Sequence, residues 1–458
     1  MSTLSSILNI GRSALQAQQK AISVTGNNVA NVNTPGYTRQ RADLENGDAI
    51  NGRPGQMGGG VKVASIRRMY DRFLTGEIRS ESQEVGQWEA RKQIQDRLEI
   101  VFNETDDDGL NKSMNEFWNL WQVLADNPAG SVERSTLISK AQAMADRFRD
   151  MNNDVVAIAA EVEGRIGQAV SDINEAAQQI AHLNDSIRRA ENLGQDANDL
   201  QDRLDMALKT LSQLADVSTT EDGSVIDVTI AGETLVDGAV PWELSYDETT
   251  GFAIDTSSGP VAIADSDIIS GTVGGLLTMK NDIIPDYRDR LDALAAEIID
   301  QVNSQHAAGQ GLDGTTGTAF FDAASTSSAD IAVNQNVIDD PRLISAAGLS
   351  ESLPGGGGNA LAISGLAHQP VMNGATETFS DFYVTLVADV GGDTKAANSR
   401  YDLQRTTMGQ LETYRDEISG VSLDEEMVNL IQFQNAYAAA AKLISATDEL
   451  LETLINMV

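Results

Sequence analysis

A chain of 458 residues, 41% of them apolar, is long enough for two or three domains with real cores. Its formal charge of −36 argues against a nucleic-acid or anionic-membrane partner and makes copies repel one another, so any assembly has to come from apolar seams. The absence of Cys excludes disulfides, thiolate nucleophiles and sulfur-ligated metals, and no uncharged apolar run reaches the roughly 18 residues of a membrane span.

The opening MSTLSSILNI has neither a charged n-region nor a small-residue cleavage site, so no cleaved secretory signal is expected. Leu8, Leu15, Ile22 and Val29 then recur at intervals of seven, with Leu4, Gly11, Gln18 and Thr25 in the companion position. One position is apolar and the other mixed, a stripe too thin for an autonomous helix, so this helix needs a partner. Behind it comes VTGNNVANVNTPGYTRQR, rich in Asn, with a Pro-Gly pair and a basic tail. The basic group Arg39, Arg41, Arg53, Arg67 and Arg68 either meets acidic patches of a neighbouring copy or is simply solvated.

Residues 72–125 read as two helical stretches divided by NETDDDG, the second carrying Phe117, Trp118, Trp121, Leu124 and Ala125 on one face and stopping at DNPAG. A long helix follows from Val132. Val155, Val162, Ala169, Ala176, Leu183 and Ala190 alternate with Ala159, Ile166, Ile173, Ile180 and Ile187 at coiled-coil spacing. After ENLGQD, Leu200, Leu204, Ala207, Leu211 and Leu214 continue the pattern as an antiparallel return. From Asp216 the period changes to two, with Ile226, Val228 and Ile230, then Trp242, Leu244 and Tyr246, predicting a small antiparallel β module over 217–272. Helix resumes with Leu277, Ile284, Leu291 and Ile298. Residues 304–397, including Gly355 to Gly358, read as loops with short elements, and a further helix is predicted from about Asn398 through Leu403, Leu411, Tyr414 and Ile418.

The last helix starts behind Ser422, an N-cap with Glu425 three residues on. Leu423, Leu430, Tyr437, Ile444, Leu451 and Val458 repeat every seven, and Met427, Phe433, Ala440, Ala441, Leu454 and Ile455 widen the face. It is read as the partner of the N-terminal helix. The alanines at 438–441 also permit close approach of neighbours; the alternative is a helix that only folds back on its own domain. The expected fold is mainly α: an elongated multi-domain chain with paired N- and C-terminal helices, a long helical-bundle rod domain and a small inserted antiparallel β domain. Its expected divisions are an N-terminal helix (1–33), a first rod part (34–216), the β module (217–272), a second rod part (273–420) and a C-terminal helix (421–458).

Little in the sequence points to catalysis. His182, His306 and His368 are scattered, without metal-ligand spacing, and no metal site is expected. GQGLDG at 309–314 follows a helix rather than a strand, so no phosphate cradle or cofactor is expected. Glu104, Asp106 and Asp108 before Gly109 imitate a calcium loop, but its twelfth position is Asn115 with Glu116 one residue late, and a turn accounts for it better. No nucleophile-and-base motif occurs, which leaves an extracellular hydrolase without support and predicts a protein that is not an enzyme.

NNVANVNTPGYTRQR and SGVSLDEEMVNLIQFQNAYAAAAKLISATDELLETLINMV together resemble the terminal signatures of bacterial flagellar axial proteins. Thr34, Pro35, Gly36, Tyr37, Thr38 and Arg39, with Asp424, Glu425, Glu426 and Met427, look most like the first hook-associated (FlgK) family of the hook-filament junction. GGLL at 274–277, the helix from Ile284 to Asn303 and GTAFFD at 317–322 agree, and the chain looks short for that family. The resemblance implies a non-enzymatic structural protein, exported by the flagellar type III route and placed outside the cell. Its implied partners are the hook protein, the third hook-associated protein, further copies of itself and a cytoplasmic export chaperone at the C-terminal region, with no nucleic acid and no membrane insertion. Another axial subunit of hook or rod type is the alternative. In this reading the Asn-rich stretch connects the inner helix to the rod: Asn27, Asn28 and Asn31 bond backbone and neighbouring chains, Pro35 and Gly36 fix a turn, and Tyr37 packs its ring with its hydroxyl paired. The residues expected to carry assembly are these with Arg39, Leu8, Leu15, Ile22 and Val29, and with Leu423, Met427, Leu430, Tyr437, Ile444, Leu451 and Ile455.

Overall fold

The computed structural model describes residues 2–51, 56–103 and 109–456. Arg53, the acidic loop with Glu104, Asp106 and Asp108, Val458 and the side chain of Leu454 lie outside the described residues. In chain order, α1 (Ser2–Ala30) is followed by β1 (Gln40–Asn46), β2 (Ile50–Asn51), β3 (Gln56–Met57) and β4 (Val61–Arg68). Four helices come next: α2 (Arg72–Phe102), α3 (Leu110–Asp126), α4 (Ser131–Asn192) and α5 (Asn198–Leu214). The β module holds β5 (Val217–Asp222), β6 (Val225–Ile230), β7 (Glu233–Asp237), β8 (Val240–Pro241), β9 (Glu243–Asp247), β10 (Gly251–Thr256) and β11 (Gly259–Ile263). Then come α6 (Gly271–Thr278), α7 (Ile284–Ala307), β12 (Gly309–Gln310), α8 (Gln335–Asp339), β13 (Ala347–Gly348) and α9 (Gly358–Gly365), and finally α10 (Phe379–Ser419) and α11 (Leu423–Asn456). Two compact units result, one of Met1–Gly86, Ala169–Gly271 and Leu403–Val458, the other of Gln87–Gln168 and Thr272–Asp402.

In the first unit the terminal helices pack together, as expected. They run antiparallel, Gly11 of α1 meeting Ile444 of α11 and Asn28 meeting Glu426. The buried face of α1 is built from small or polar side chains: Ser6, Gly11, Ala17, Ala21, Val24, Thr25 and Asn28. A Cβ on Gly11 would lie 2.7 Å from Ile444 Cγ1, so glycine leaves the room that this side chain fills. Leu8, Leu15, Ile22 and Val29 are only half-buried along its flank. The seven-residue series locates the strongest hydrophobes, whereas two helices in close contact meet through the smallest residues.

Strands β1 and β4 form an antiparallel ribbon against α1, in register from Gln40–Arg68 to Asn46–Val61 with a bulge at Asp43/Leu44. The sequence pattern predicts no strands here, because the alternation of Val61 and Val63 is short and lies among charged residues. Seven strands make the β module, as one four-stranded sheet (β5-β6-β7-β8) and one three-stranded sheet (β11-β10-β9), all antiparallel. Two Asn side chains of α4 dock it by imitating a neighbouring strand. Asn184 donates to the carbonyls of Ile226 (2.8 Å) and Gly238 (2.7 Å) and accepts from Ile226 N–H, and Asn174 exchanges both bonds with Leu244. The predicted seam of α4 is buried throughout except for half-buried Ala159 and Ala190.

The second unit closes on an aromatic cluster in which Phe117, Trp121, Phe320 and Phe321 are fully buried and Trp121 sits 5.1 Å from Phe320. Trp118 stacks on Phe379 at 5.5 Å. That contact corrects the boundary of the last predicted loop. α10 starts at Phe379, not near Asn398, because Phe379, Phe382, Tyr383, Leu386, Val390 and Ala397 are buried at helical spacing. The β-branched run and Gly391–Gly392 hide that periodicity.

His306 lies at the centre of this unit, with no exposed surface. Its Nδ1–H donates to the Thr318 carbonyl (2.6 Å) and its Nε2 accepts from Ser345 N–H (2.9 Å), so both ring nitrogens are used by the neutral form. Beside it the buried Arg134 guanidinium donates to the carbonyls of Pro128, Pro341 and Ile344, and burial lowers its own pKa to about 10. Burial first, then this cation, hold His306 at about 4 against an ordinary 6.5, the Thr318 bond only partly opposing. Unfolding therefore takes up a proton below pH 6.5 but not above it. Stability of this unit should be flat above pH 6.5 and fall by up to about 3 kcal/mol as pH drops to 4. Urea melts followed by tryptophan fluorescence in a Trp242→Phe background, which leaves only the tryptophans of this unit, test this, and His306→Asn should flatten that part of the pH profile even if it lowers stability overall.

Candidate functional site

The polar stretch after α1 folds into a compact junction with the start of α11. Tyr37 N–H donates to the Thr34 carbonyl (3.2 Å), and Gly36 has φ +77°, the arrangement of a type II turn with Pro35 second and Gly third. Gly36 is required twice over, because a Cβ there would also lie 2.2 Å from Met206 Sδ. Pro35 is exposed at the turn.

Asn28 lies at the centre, 1% exposed. Its side-chain oxygen accepts Gln40 N–H (3.0 Å) and the Tyr37 hydroxyl (2.8 Å), and its amide donates to the Gln40 carbonyl (2.9 Å) and Glu426 Oε2 (3.0 Å). Every polar atom of the amide is thereby satisfied. Asn27 donates to the Tyr37 hydroxyl (3.3 Å), Asn31 returns to the Asn27 carbonyl and side chain (3.0 Å each), and Thr34 bonds Asn31. Burial, reinforced by Asp199, Asp202 and Glu426, raises the Tyr37 pKa, so its hydroxyl stays a donor.

Glu426, 2% exposed, is the carboxylate that Asn28 and Arg39 share. Arg39 Nε donates to Glu426 Oε1 (2.8 Å) and Nη1 to Glu425 Oε2 (2.6 Å). Arg39 N–H reaches the Ser419 carbonyl and its own carbonyl accepts Met69 N–H, both at 2.8 Å. One residue thus ties the end of α10, the start of α11 and the ribbon together. Behind it, Asp199, Asp202 and Asp205 recur at every third residue on α5. Asp199 accepts from Gln40, Asp202 from Thr38 N–H and Arg68, and Asp205 from Arg68, all between 2.8 and 3.0 Å. Burial raises the Asp205 pKa despite Arg68, while these carboxylates outweigh burial at Arg68 and hold its guanidinium charged.

The structure gathers Asn27, Asn28, Asn31, Gly36, Tyr37 and Arg39 into one network, inside a single chain. Of the predicted α11 residues, Leu430, Ile444 and Leu451 are half-buried, whereas Leu423, Met427, Tyr437 and Ile455 are exposed. Within the basic group, Arg39 and Arg68 are paired internally, Arg67 pairs with Asp43, and Arg41 lies 3.9 Å from Asp43. Gln40, Asp199, Asp202 and Glu426 escaped the sequence reading as network members; the acidic spacing on α5, complementary to an Arg-rich tail, was the available signal. Among the described residues no group of three or more His, Cys, Asp or Glu could hold a metal ion, and no helix is long and apolar enough to cross a membrane.

Asn28→Ala should cost about 2–4 kcal/mol, since it strips a buried carboxylate and a backbone N–H of partners. Hydrogen exchange should show the loss first in α1 and the start of α11. Gly36→Ala should cost about 1–3 kcal/mol, and Met206→Ala should return only the steric part, leaving the positive-φ strain.

Comparison with known proteins agrees over the whole chain. Residues 95–321 match the FlgK helical-domain model of flagellar hook-associated proteins. Residues 8–38 match the flagella basal body rod protein model, and 414–457 the C-terminal model of the FlgEFG basal body rod proteins. The flagellar hook-associated protein 1 of Bacillus subtilis (strain 168) is 31% identical, covering 98% of this chain and 97% of its own. Those of Salmonella typhimurium and Escherichia coli K12 are each 26% identical, covering 99% of this chain and 100% of their own. The Salmonella alignment spans 554 positions against 458 residues here, so that relative carries stretches this chain lacks. In fold, the flagellar hook junction protein FlgK of Burkholderia pseudomallei is similar with a TM-score of 0.66 at 15% identity, over 75% of this chain and all of the other. By full-length similarity to such relatives, the chain belongs to the FlgK, or flagellar hook-associated protein 1, family of structural hook-filament junction proteins.

Proposed function

We propose that this chain is the subunit laid between hook and filament, touching hook protein on one side and the third hook-associated protein on the other. The observation that supports the reading best is the surface of α11. Leu423, Met427, Val428, Ile431, Tyr437, Leu443, Leu450 and Ile455 are all at least 40% exposed even with α1 packed alongside. So much apolar side chain along one helix favours further helices as neighbours. Copies of the same chain are the nearest candidates, as the assembly residues Leu8, Leu15, Ile22, Val29, Leu423, Met427, Tyr437 and Ile455 are then available at the pair's flanks. Before assembly the same surface needs cover, which fits a cytoplasmic chaperone on the C-terminal region and export by the flagellar type III route.

A hook- or rod-type subunit is the second reading, favoured by the rod-protein matches at both termini. The helical-domain match over 95–321 weighs for the junction. Electron microscopy of cells lacking the gene separates them. Bare hooks with flagellin shed into the medium are expected; absent or shortened hooks would favour the second reading, and normal filaments would end both. Full-length Met427→Glu/Ile431→Glu should fold, since both side chains are exposed, yet leave hooks bare.

A further inference from the structure

The two terminal helices carry opposite charge. α1 has two cations, Arg12 and Lys20, and no carboxylate, whereas α11 has six carboxylates and a single cation, Lys442. In a chain of net charge −36, a 29-residue helix without one acid is the exception. Arg12 and Lys20 are exposed and form no ion pair among the described residues. On α11, Arg39 engages Glu425 and Glu426, but Asp424, Asp448, Glu449 and Glu452 are exposed and equally unpaired there. At about 100° per residue, Asp448, Glu449 and Glu452 continue the exposed stripe that Leu423, Met427 and Ile431 begin. Arg12 stands one turn from both Leu8 and Leu15, half-buried at the flank of the α1–α11 seam. Each helix therefore presents an apolar strip with an ionic part, of opposite sign.

We propose that the outer face of α1 in one copy packs on the α11 stripe of a second copy, with Arg12 and Lys20 meeting Asp448, Glu449 and Glu452. This rests on the reading that the terminal helices meet neighbouring copies, and it adds which face meets which. The pairing is discriminating, because α11 against α11 would set carboxylates against carboxylates. Overall repulsion between copies does not forbid it, since charges more than about 8 Å apart are largely screened at physiological salt while those in the contact are not. The two surfaces differ, so the contact is heterologous. It repeats from copy to copy into a ring or helical row instead of closing a two-fold dimer.

The natural absence of Cys makes the test clean. Flagella isolated from cells carrying Arg12→Cys/Glu449→Cys, treated with a bis-maleimide, should yield a ladder of dimers, trimers and larger products. Either single variant should yield none. Dimers from Arg12→Cys alone, or no heterodimer when Arg12→Cys and Glu449→Cys chains are co-assembled so that no link within one chain can form, would overturn the pairing. Arg12→Glu/Lys20→Glu should reduce the copies retained per flagellum by about tenfold, and adding Glu449→Lys/Glu452→Lys should restore them to within about twofold, with circular dichroism confirming that all variants fold. If charge reversal has no effect while Met427→Glu/Ile431→Glu still blocks assembly, the pairing is wrong and the apolar assembly reading stands. If the apolar variant also assembles normally, that reading falls as well.

Discussion

Removing one carboxylate from water at the root of two helices is the constraint on which the terminal region depends. Glu426 is buried, and a buried carboxylate is tolerated only when its charge is matched and its oxygens are occupied. Arg39 supplies the charge and Asn28 the remaining hydrogen bond, and each is itself fixed by several other contacts. Asn28 cannot satisfy Glu426 unless Gln40 and Tyr37 are in place, which requires the Pro35–Gly36 turn. The polar network thus specifies geometry where the thin apolar stripes of α1 and α11 specify only attraction.

That division of labour explains what the sequence disclosed. The α4 seam was legible because a long helix repeats its buried position many times, so the period outweighs local exceptions. The pairing of the termini was legible for a different reason: neither stripe covers itself. The packed face of α1 was not, since a search for the largest side chains passes over Gly11, Ala17 and Ala21, whose small size makes room for the side chains of α11. Phe379 to Ala397 was read as loop because glycines and β-branched residues speak locally for a break, and only burial against the second unit's own core overrides them.

The network was half legible on the same grounds. Asn27, Asn28, Asn31 and Tyr37 stand out as polar groups in a short stretch, and such groups in a folded protein find partners. Their partners lie far away in the chain, Asp199 and Asp202 on α5 and Glu426 on α11, and although the acidic spacing on α5 and the signature at 424–427 mark them, nothing in one sequence says which Asn or Arg each one meets. Arg39 and Arg68 illustrate the limit: a basic cluster in an acidic chain invites an external partner, yet the fold brings internal carboxylates to both.

Membership of the hook-associated family places the chain among the axial proteins of the extracellular flagellum, and the contrast between its buried and exposed polar groups fits that setting. Arg68, largely buried, holds Asp202 and Asp205 at once, and Arg39 reaches the buried Glu426 and the exposed Glu425, each through the planar fork of its guanidinium. The unpaired ions on the outer faces of α1 and α11 are exposed, where a salt bridge contributes little by itself. Such charges are poor glue but good filters. Under the proposed pairing of copies, attraction between terminal helices comes from apolar side chains that would accept many partners, and the sign of the surrounding charge decides which face is admitted.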